Sequence, residues 1–223
     1  MEIDITKLKE ITDAFDAIDF YFYYNDLSEY NFYNTIAKSF KNNYKGTEEY
    51  YVENGATKGV FIFPKLNYVI KVPFKHSEYD EELYGADADN CWDYCEAEVN
   101  KYRQAQKEGL EHFFAKTTCV YRTADSDYPI YLQELAEIYD QDFSRGDRYS
   151  IEEKDSIREK CSSGGYSCFN AVWLSDVFNF YGEEMFYRLL NFIDDADIRD
   201  LHNSNVGYIG MRPVLVDYSS YND

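Results

Sequence analysis

No apolar run of about 18 residues occurs in the 223-residue chain, so the sequence offers no membrane-spanning helix. The opening MEIDITKLKE lacks the apolar core of a signal peptide, which predicts a soluble, intracellular protein. The five cysteines are odd in number and follow no close-spaced framework, which excludes a disulfide scaffold and points to reduced thiols in a cytoplasmic setting. Cys91 and Cys95 stand one helical turn apart, but no histidine or second cysteine pair accompanies them at zinc spacing; they read as core thiols. Internal repeats and low-complexity linkers are also missing.

Positive charge is scarce. Against 42 Asp and Glu there are 22 Lys and Arg, a net charge of −20 that favours solubility and repels nucleic-acid backbones and anionic lipid. No nucleic-acid or membrane partner is therefore expected, and ATP would need local cations and metal to bind. What is abundant is aromatic: 24 Tyr and 16 Phe give the chain enough apolar surface to bury a core, which argues against disorder. That many rings also make exposed aromatics, and a homo-oligomer that covers them, an expectation.

Along the chain, Leu8, Ile11, Phe15 and Ile18 recur at helical spacing after Thr6, the expected N-cap, and Phe32, Ile36 and Phe40 mark a second helix after Ser28. Residues 1–47 thus read as an N-terminal helical extension. From Glu48 to Phe74, β-branched and aromatic runs are broken by Asn54-Gly55, Gly59 and Pro64-Lys65-Leu66-Asn67, the pattern of three antiparallel strands. A helix with Tyr94, Val99, Tyr102 and Ala105 on one face follows and stops at Gly109; two further strands cover about Phe114 to Tyr121 and Ile130 to Leu135. Beyond Ser150 the pattern is helical, opening on a capping box of Ser150 and Glu153 that closes at Gly164-Gly165, with further helices over Cys168 to Tyr181 and Glu183 to Asp194. The segment from Val206 to Val216 reads as a hairpin.

Several residues are placed for phosphoryl-transfer chemistry, which needs a cation on the phosphates, Mg²⁺ held by oxygen ligands, and a carboxylate beside the attacking hydroxyl. Asp200 opens DLHNSN, with Asn205 five residues on and Asp217 twelve residues further, so a hairpin between the last two returns their oxygens to one place. Upstream, Lys71 sits in the strand YVIKVPF after a glycine-containing turn, and Glu98 falls in the middle of the next helix, where it can pair with Lys71. Glu96 is the alternative partner. Each piece has an ordinary reading on its own: a plain hairpin for GATKG, a solvated strand lysine for Lys71, an acidic helix for Glu98.

Taken in order, NGATKG, VIK, EVNKY, QELA, DLHNSN and VDYS resemble the protein-kinase-like superfamily over about residues 48–220, and the DLHxxN form resembles its aminoglycoside and choline kinase branch. The resemblance implies an α+β, two-lobe fold: an N-lobe over 48–136 with a five-stranded antiparallel sheet and one helix, and a reduced, mostly helical C-lobe over 137–223 that ends just after Asp217. It implies that Lys71 contacts the nucleotide phosphates, Glu98 orients it, and Asp200 positions the substrate hydroxyl. It also implies that Asn205 and Asp217 bind Mg²⁺, that Gly55, Lys58 and Gly59 cover the phosphates, and that Gln133, Glu134, Leu135 and Ala136 hold the adenine edge.

Departures from the family pattern are visible too. Ile198 stands where H-R-D has histidine, DYS replaces D-F-G, and no A-P-E element follows. The expected function is ATP- and Mg²⁺-dependent transfer of a γ-phosphoryl group to a hydroxyl of a protein or small molecule. The alternative is a pseudokinase-like module that binds nucleotide or a partner without catalysis.

Overall fold

Asp4 opens the first helix of the computed structural model: its carboxylate accepts from the amides of Thr6 and Lys7 at 3.0 and 3.1 Å, so the cap lies two residues before the expected Thr6. The structure describes residues 3–20, 27–28, 30–55, 57–74, 94–124, 127–139, 148–161, 170–198 and 201–219. The chain divides into two compact units, Met1–Val99 with Thr117–Leu135, and Asn100–Lys116 with Ala136–Asp223. Among the described residues the class is α+β, with six α-helices, a five-stranded sheet and a three-stranded sheet.

The first unit holds helices α1 (Ile5–Asp16) and α2 (Ile36–Asn43), the start of α3 (Tyr94–Glu108), and strands β1 (Tyr51–Asn54), β2 (Lys58–Phe63), β3 (Tyr68–Pro73), β4 (Thr117–Arg122) and β5 (Pro129–Glu134). All pairs are antiparallel, in the order β1-β2-β3-β5-β4. The expected three strands, one helix and two strands are therefore present. Alternation along each strand sorts the side chains onto two faces. Phe61, Phe63, Tyr68, Ile70, Val72, Ile130 and Leu132 share a core with Ile11, Phe15, Phe32, Ile36 and Phe40. The opposite parity carries Lys58, Lys71, Tyr131, Gln133 and Thr117, with Tyr131 packed against Cys95 and Val99 of α3.

Phe61 shows how the first 47 residues are used. Its ring meets Phe15 edge-on at 5.2 Å, Phe40 at 4.6 Å and Phe32 at 5.7 Å, so the two N-terminal helices cover one face of the sheet and are built into its core. They are part of the unit, where an extension outside it was expected. The region between Phe32 and Asn43 is also broken: a 3-10 turn over Phe32–Asn34 precedes α2, where a single helix was expected.

The second unit contains the rest of α3, α4 (Ile151–Cys161), α5 (Ala171–Tyr181), α6 (Glu183–Asp195), and strands β6 (Glu137–Ile138), β7 (Val206–Ile209) and β8 (Arg212–Leu215). The Ser150 and Glu153 capping box forms reciprocally, at 3.2 Å from the Glu153 amide to Ser150 Oγ and 2.7 Å from the Ser150 amide to Glu153 Oε2. Asn170 caps α5, its side chain accepting from the Val172 and Trp173 amides; the expected start at Cys168 and the stop at Gly164-Gly165 lie outside the described residues. The hairpin β7-β8 forms as expected, and β6 adds a third strand to it. A Cβ on Gly207 would stand 2.5 Å from the Glu137 carbonyl oxygen, so the absence of a side chain there lets β6 approach. Trp173, Phe114, Leu189, Phe192 and Tyr218 fill this unit's core.

Of the cysteines, Cys95 and Cys161 are buried and Cys119 is half-buried; Cys91 and Cys168 lie outside the described residues. Burial pushes the Cys161 thiol up to about 11, which leaves almost no thiolate at neutral pH.

A chain lacking residues 1–47 would expose Phe61, Phe63 and Ile70 to water, and it is expected to aggregate or to lose cooperative urea unfolding. A soluble truncated protein with an unchanged unfolding midpoint would contradict the shared core.

Candidate functional site

Glu98 is fully buried, and an ionised carboxylate is tolerated there only with partners on its oxygens. Strand parity supplies them. Register places Lys71 opposite both Val60 and Tyr131, and Thr117 opposite Gln133, so Lys58, Lys71, Gln133 and Thr117 all lie on the face that meets α3. Lys71 Nζ donates to Glu98 Oε1 at 2.8 Å and to Oε2 at 2.7 Å. Lys58 Nζ donates to Oε1 at 2.9 Å, Thr117 Oγ1 to Oε2 at 3.0 Å, and Gln133 Nε2 to Oε2 at 3.2 Å. A further bond from Gln133 Nε2 to Thr117 Oγ1 at 2.6 Å closes the network.

The expected Lys71–Glu98 pair is thus formed. Glu96 takes a different partner, the Tyr131 hydroxyl at 3.1 Å. Lys71 and Lys58 are only 3 % and 5 % exposed, so neither is the solvated strand lysine that an alternating pattern suggests. Thr117 is missing from the sequence-based set because a threonine in a strand carries no signal by itself. Its place directly across from Gln133 is what a register assignment would have supplied.

The turn over Gly55 is closed by backbone groups of the hairpin itself. Asn54 pairs with Gly59, and the Gly55 amide donates to the Lys58 carbonyl at 3.0 Å, which commits that amide within the hairpin. Gly59 has a packing reason to be glycine: the ring of Phe32 would lie 2.1 Å from a Cβ placed there, whereas nothing comes within 4 Å of one on Gly55. Of the segment expected to hold adenine, the Gln133 side chain serves Glu98 and the Leu135 amide donates to the Asn67 carbonyl at 3.0 Å. Glu134 ends β5 opposite Tyr68, while Ala136 begins the next stretch of the second unit, packed with Ala115 and Val214.

Within the second unit, the hairpin returns Asp217 to Asn205. The Asn205 carbonyl accepts from the Val216 amide at 2.8 Å and the Asp217 amide at 3.4 Å, and Val206 pairs with Leu215 between them. Asn205 ends a 3-10 turn, Asn203–Asn205, capped by His202 Nδ1 accepting from the Ser204 amide at 3.2 Å. Asn170 ties that turn to the start of α5 by donating to Asn203 Oδ1 at 2.8 Å. On the far side, Tyr218 is fully buried, edge-on to Phe114 at 4.9 Å, and its hydroxyl donates to the Ala115 carbonyl at 2.8 Å. Ile198, at the position of the missing histidine, belongs to the same apolar core. Asp200 lies outside the described residues.

An amide oxygen and a carboxylate are the hard donors that Mg²⁺ takes, and Mg²⁺ commonly completes its shell with phosphate oxygens and water, so the residues present suit it. Among the described residues there is no group of three or more His, Cys, Asp or Glu arranged to hold a metal by themselves. No helix among them is long and apolar enough to cross a membrane. No protein-family model matches the chain, and no curated protein matches it.

Replacing the buried carboxylate leaves two ammonium groups without it, so Glu98→Gln is expected to lower unfolding stability by about 3–5 kcal/mol, read from urea denaturation. Gly59→Ala should cost about 1–3 kcal/mol through the clash with Phe32, with Gly55→Ala close to wild type. Equal effects at the two glycines would contradict their different surroundings.

Proposed function

We propose that the chain is an ATP- and Mg²⁺-dependent phosphotransferase that moves the γ-phosphoryl group to a hydroxyl of a protein or small molecule. The observation that carries this reading is the buried Lys71–Glu98 pair, in which both carboxylate oxygens hold one ammonium group at 2.7 and 2.8 Å. Such a pair fixes the position of a lysine's ammonium group, as a phosphate contact requires. Lys71 would contact the nucleotide phosphates, with Glu98 as its positioning residue. Mg²⁺ held by Asn205 and Asp217 would neutralise charge on the phosphate oxygens. Asp200, five residues before Asn205, would orient the acceptor hydroxyl.

A second reading, nucleotide binding without transfer, is supported by the turn at Gly55, whose amide is committed to Lys58 within the hairpin. Fewer amides are then offered to a phosphate.

The two readings separate on purified protein with Mg²⁺ and ATP. The phosphotransferase reading expects ATP hydrolysis or autophosphorylation, seen by intact-mass spectrometry as added phosphate. It expects loss of the Mg²⁺-dependent rise in melting temperature in Asp217→Ala, and loss of transfer with binding retained in Asp200→Asn. Binding with no turnover favours the second reading. No thermal shift with ATP under any metal condition would overturn both.

A further inference from the structure

We propose that Ser219 is a positioning residue for Asp217: its hydroxyl sets the plane of that carboxylate, so that the aspartate meets Mg²⁺ in one orientation. The inference deepens the phosphotransferase reading and rests on it for the identity of the cation. Ser219 Oγ donates to Asp217 Oδ1 at 2.9 Å. The serine stands where the D-F-G pattern has glycine, which has no side-chain donor, so this bond has no counterpart in that pattern.

Tyr218 explains why the two side chains meet. Its ring is fully buried beside Phe114, while Asp217 and Ser219 on either side of it are half-buried. Drawing the tyrosine inward leaves its two neighbours on the same outward side of the chain, two residues apart and within hydrogen-bond reach.

What the hydroxyl adds is orientation, because the backbone here is anchored by other groups. The Val216 and Asp217 amides donate to the Asn205 carbonyl, and the Tyr218 hydroxyl donates to the Ala115 carbonyl at 2.8 Å. Those bonds place Asp217 but not its carboxylate, whose last torsion is a broad, roughly two-fold well. A donor on Oδ1 narrows that well. Mg²⁺ demands near-ideal octahedral geometry, and ligating carboxylates are themselves held by outer hydrogen bonds that orient them.

A purely structural hydroxyl would behave differently. Its removal would lower the melting temperature and leave the effect of the metal unchanged.

The test is calorimetric titration with a non-hydrolysable ATP analogue, in saturating Mg²⁺ and in EDTA, of wild type, Asp217→Ala, Ser219→Ala and Ser219→Thr. The quantity read is the gain in affinity that Mg²⁺ confers. Ser219→Ala is expected to reduce that gain about tenfold, with affinity in EDTA unchanged, and Ser219→Thr to restore most of it through its own hydroxyl. A wild-type gain in Ser219→Ala, when Asp217→Ala has lost it, overturns the role of Ser219 and leaves the metal reading standing. An equal loss of affinity in Mg²⁺ and in EDTA also overturns that role. A gain that survives in Asp217→Ala removes the aspartate from the metal site, and the proposal for Ser219 falls with it. If wild type shows no gain, both fall. Should Ser219→Ala fail to fold, Ser219→Gly removes the same hydroxyl and is read in the same way; failure of both to fold, with Ser219→Thr folded, marks the hydroxyl as structural and overturns the proposal.

Discussion

A carboxylate buried out of water must be surrounded by donors, and Glu98 sets that requirement at the centre of the first unit. Meeting it fixes more than one pair of residues. Lys58 and Lys71 must lie on the same face of neighbouring strands, Thr117 and Gln133 must face each other across β4 and β5, and α3 must present Glu98 to that face. A slip of one residue in any of these strands would send its donor to the aromatic face under α1 and α2. The apolar core on one side of the sheet and the polar cluster on the other therefore specify the same register, each reinforcing the other.

In the second unit the corresponding constraint is a backbone group. The Asn205 carbonyl gathers the amides of Val216 and Asp217, which closes the hairpin and sets the aspartate beside the asparagine. Burial of Tyr218 in the aromatic core immediately after Asp217 fixes the chain on the other side. Asn205 and Asp217 are thus positioned by elements that form without a ligand, the kind of preorganisation that the proposed Mg²⁺ role would use.

Much of this was legible in the sequence where a local pattern has a single physical meaning. The capping box at Ser150, the strand alternation in β2 and β3 and the hairpin turn after Val206 follow from spacing, whereas the Lys71–Glu98 pair comes from the kinase-like resemblance, with Glu96 open as the alternative. What escaped depends on long-range packing. Amphipathic stripes on α1 and α2 predict helices but do not say what the stripes cover, so Phe15, Phe32 and Phe40 read as an extension until Phe61 is found beneath them. Gly59 reads as a loop glycine because its contact, Phe32, is far away in sequence. Lys58 reads as part of the same loop for the same reason, although it begins a strand and shares a carboxylate forty residues on. β6, only two residues long, has no periodicity to detect.

The central claim is the proposed one, that Lys71, held on Glu98, meets the phosphates of a nucleotide. It is tested most directly by crystallising the chain with a non-hydrolysable ATP analogue and Mn²⁺ in place of Mg²⁺, and locating the metal by anomalous scattering. The account predicts a metal peak at the oxygens of Asn205 and Asp217, with analogue phosphate oxygens within about 3 Å of Lys71 Nζ. A metal and analogue bound away from these residues would contradict it.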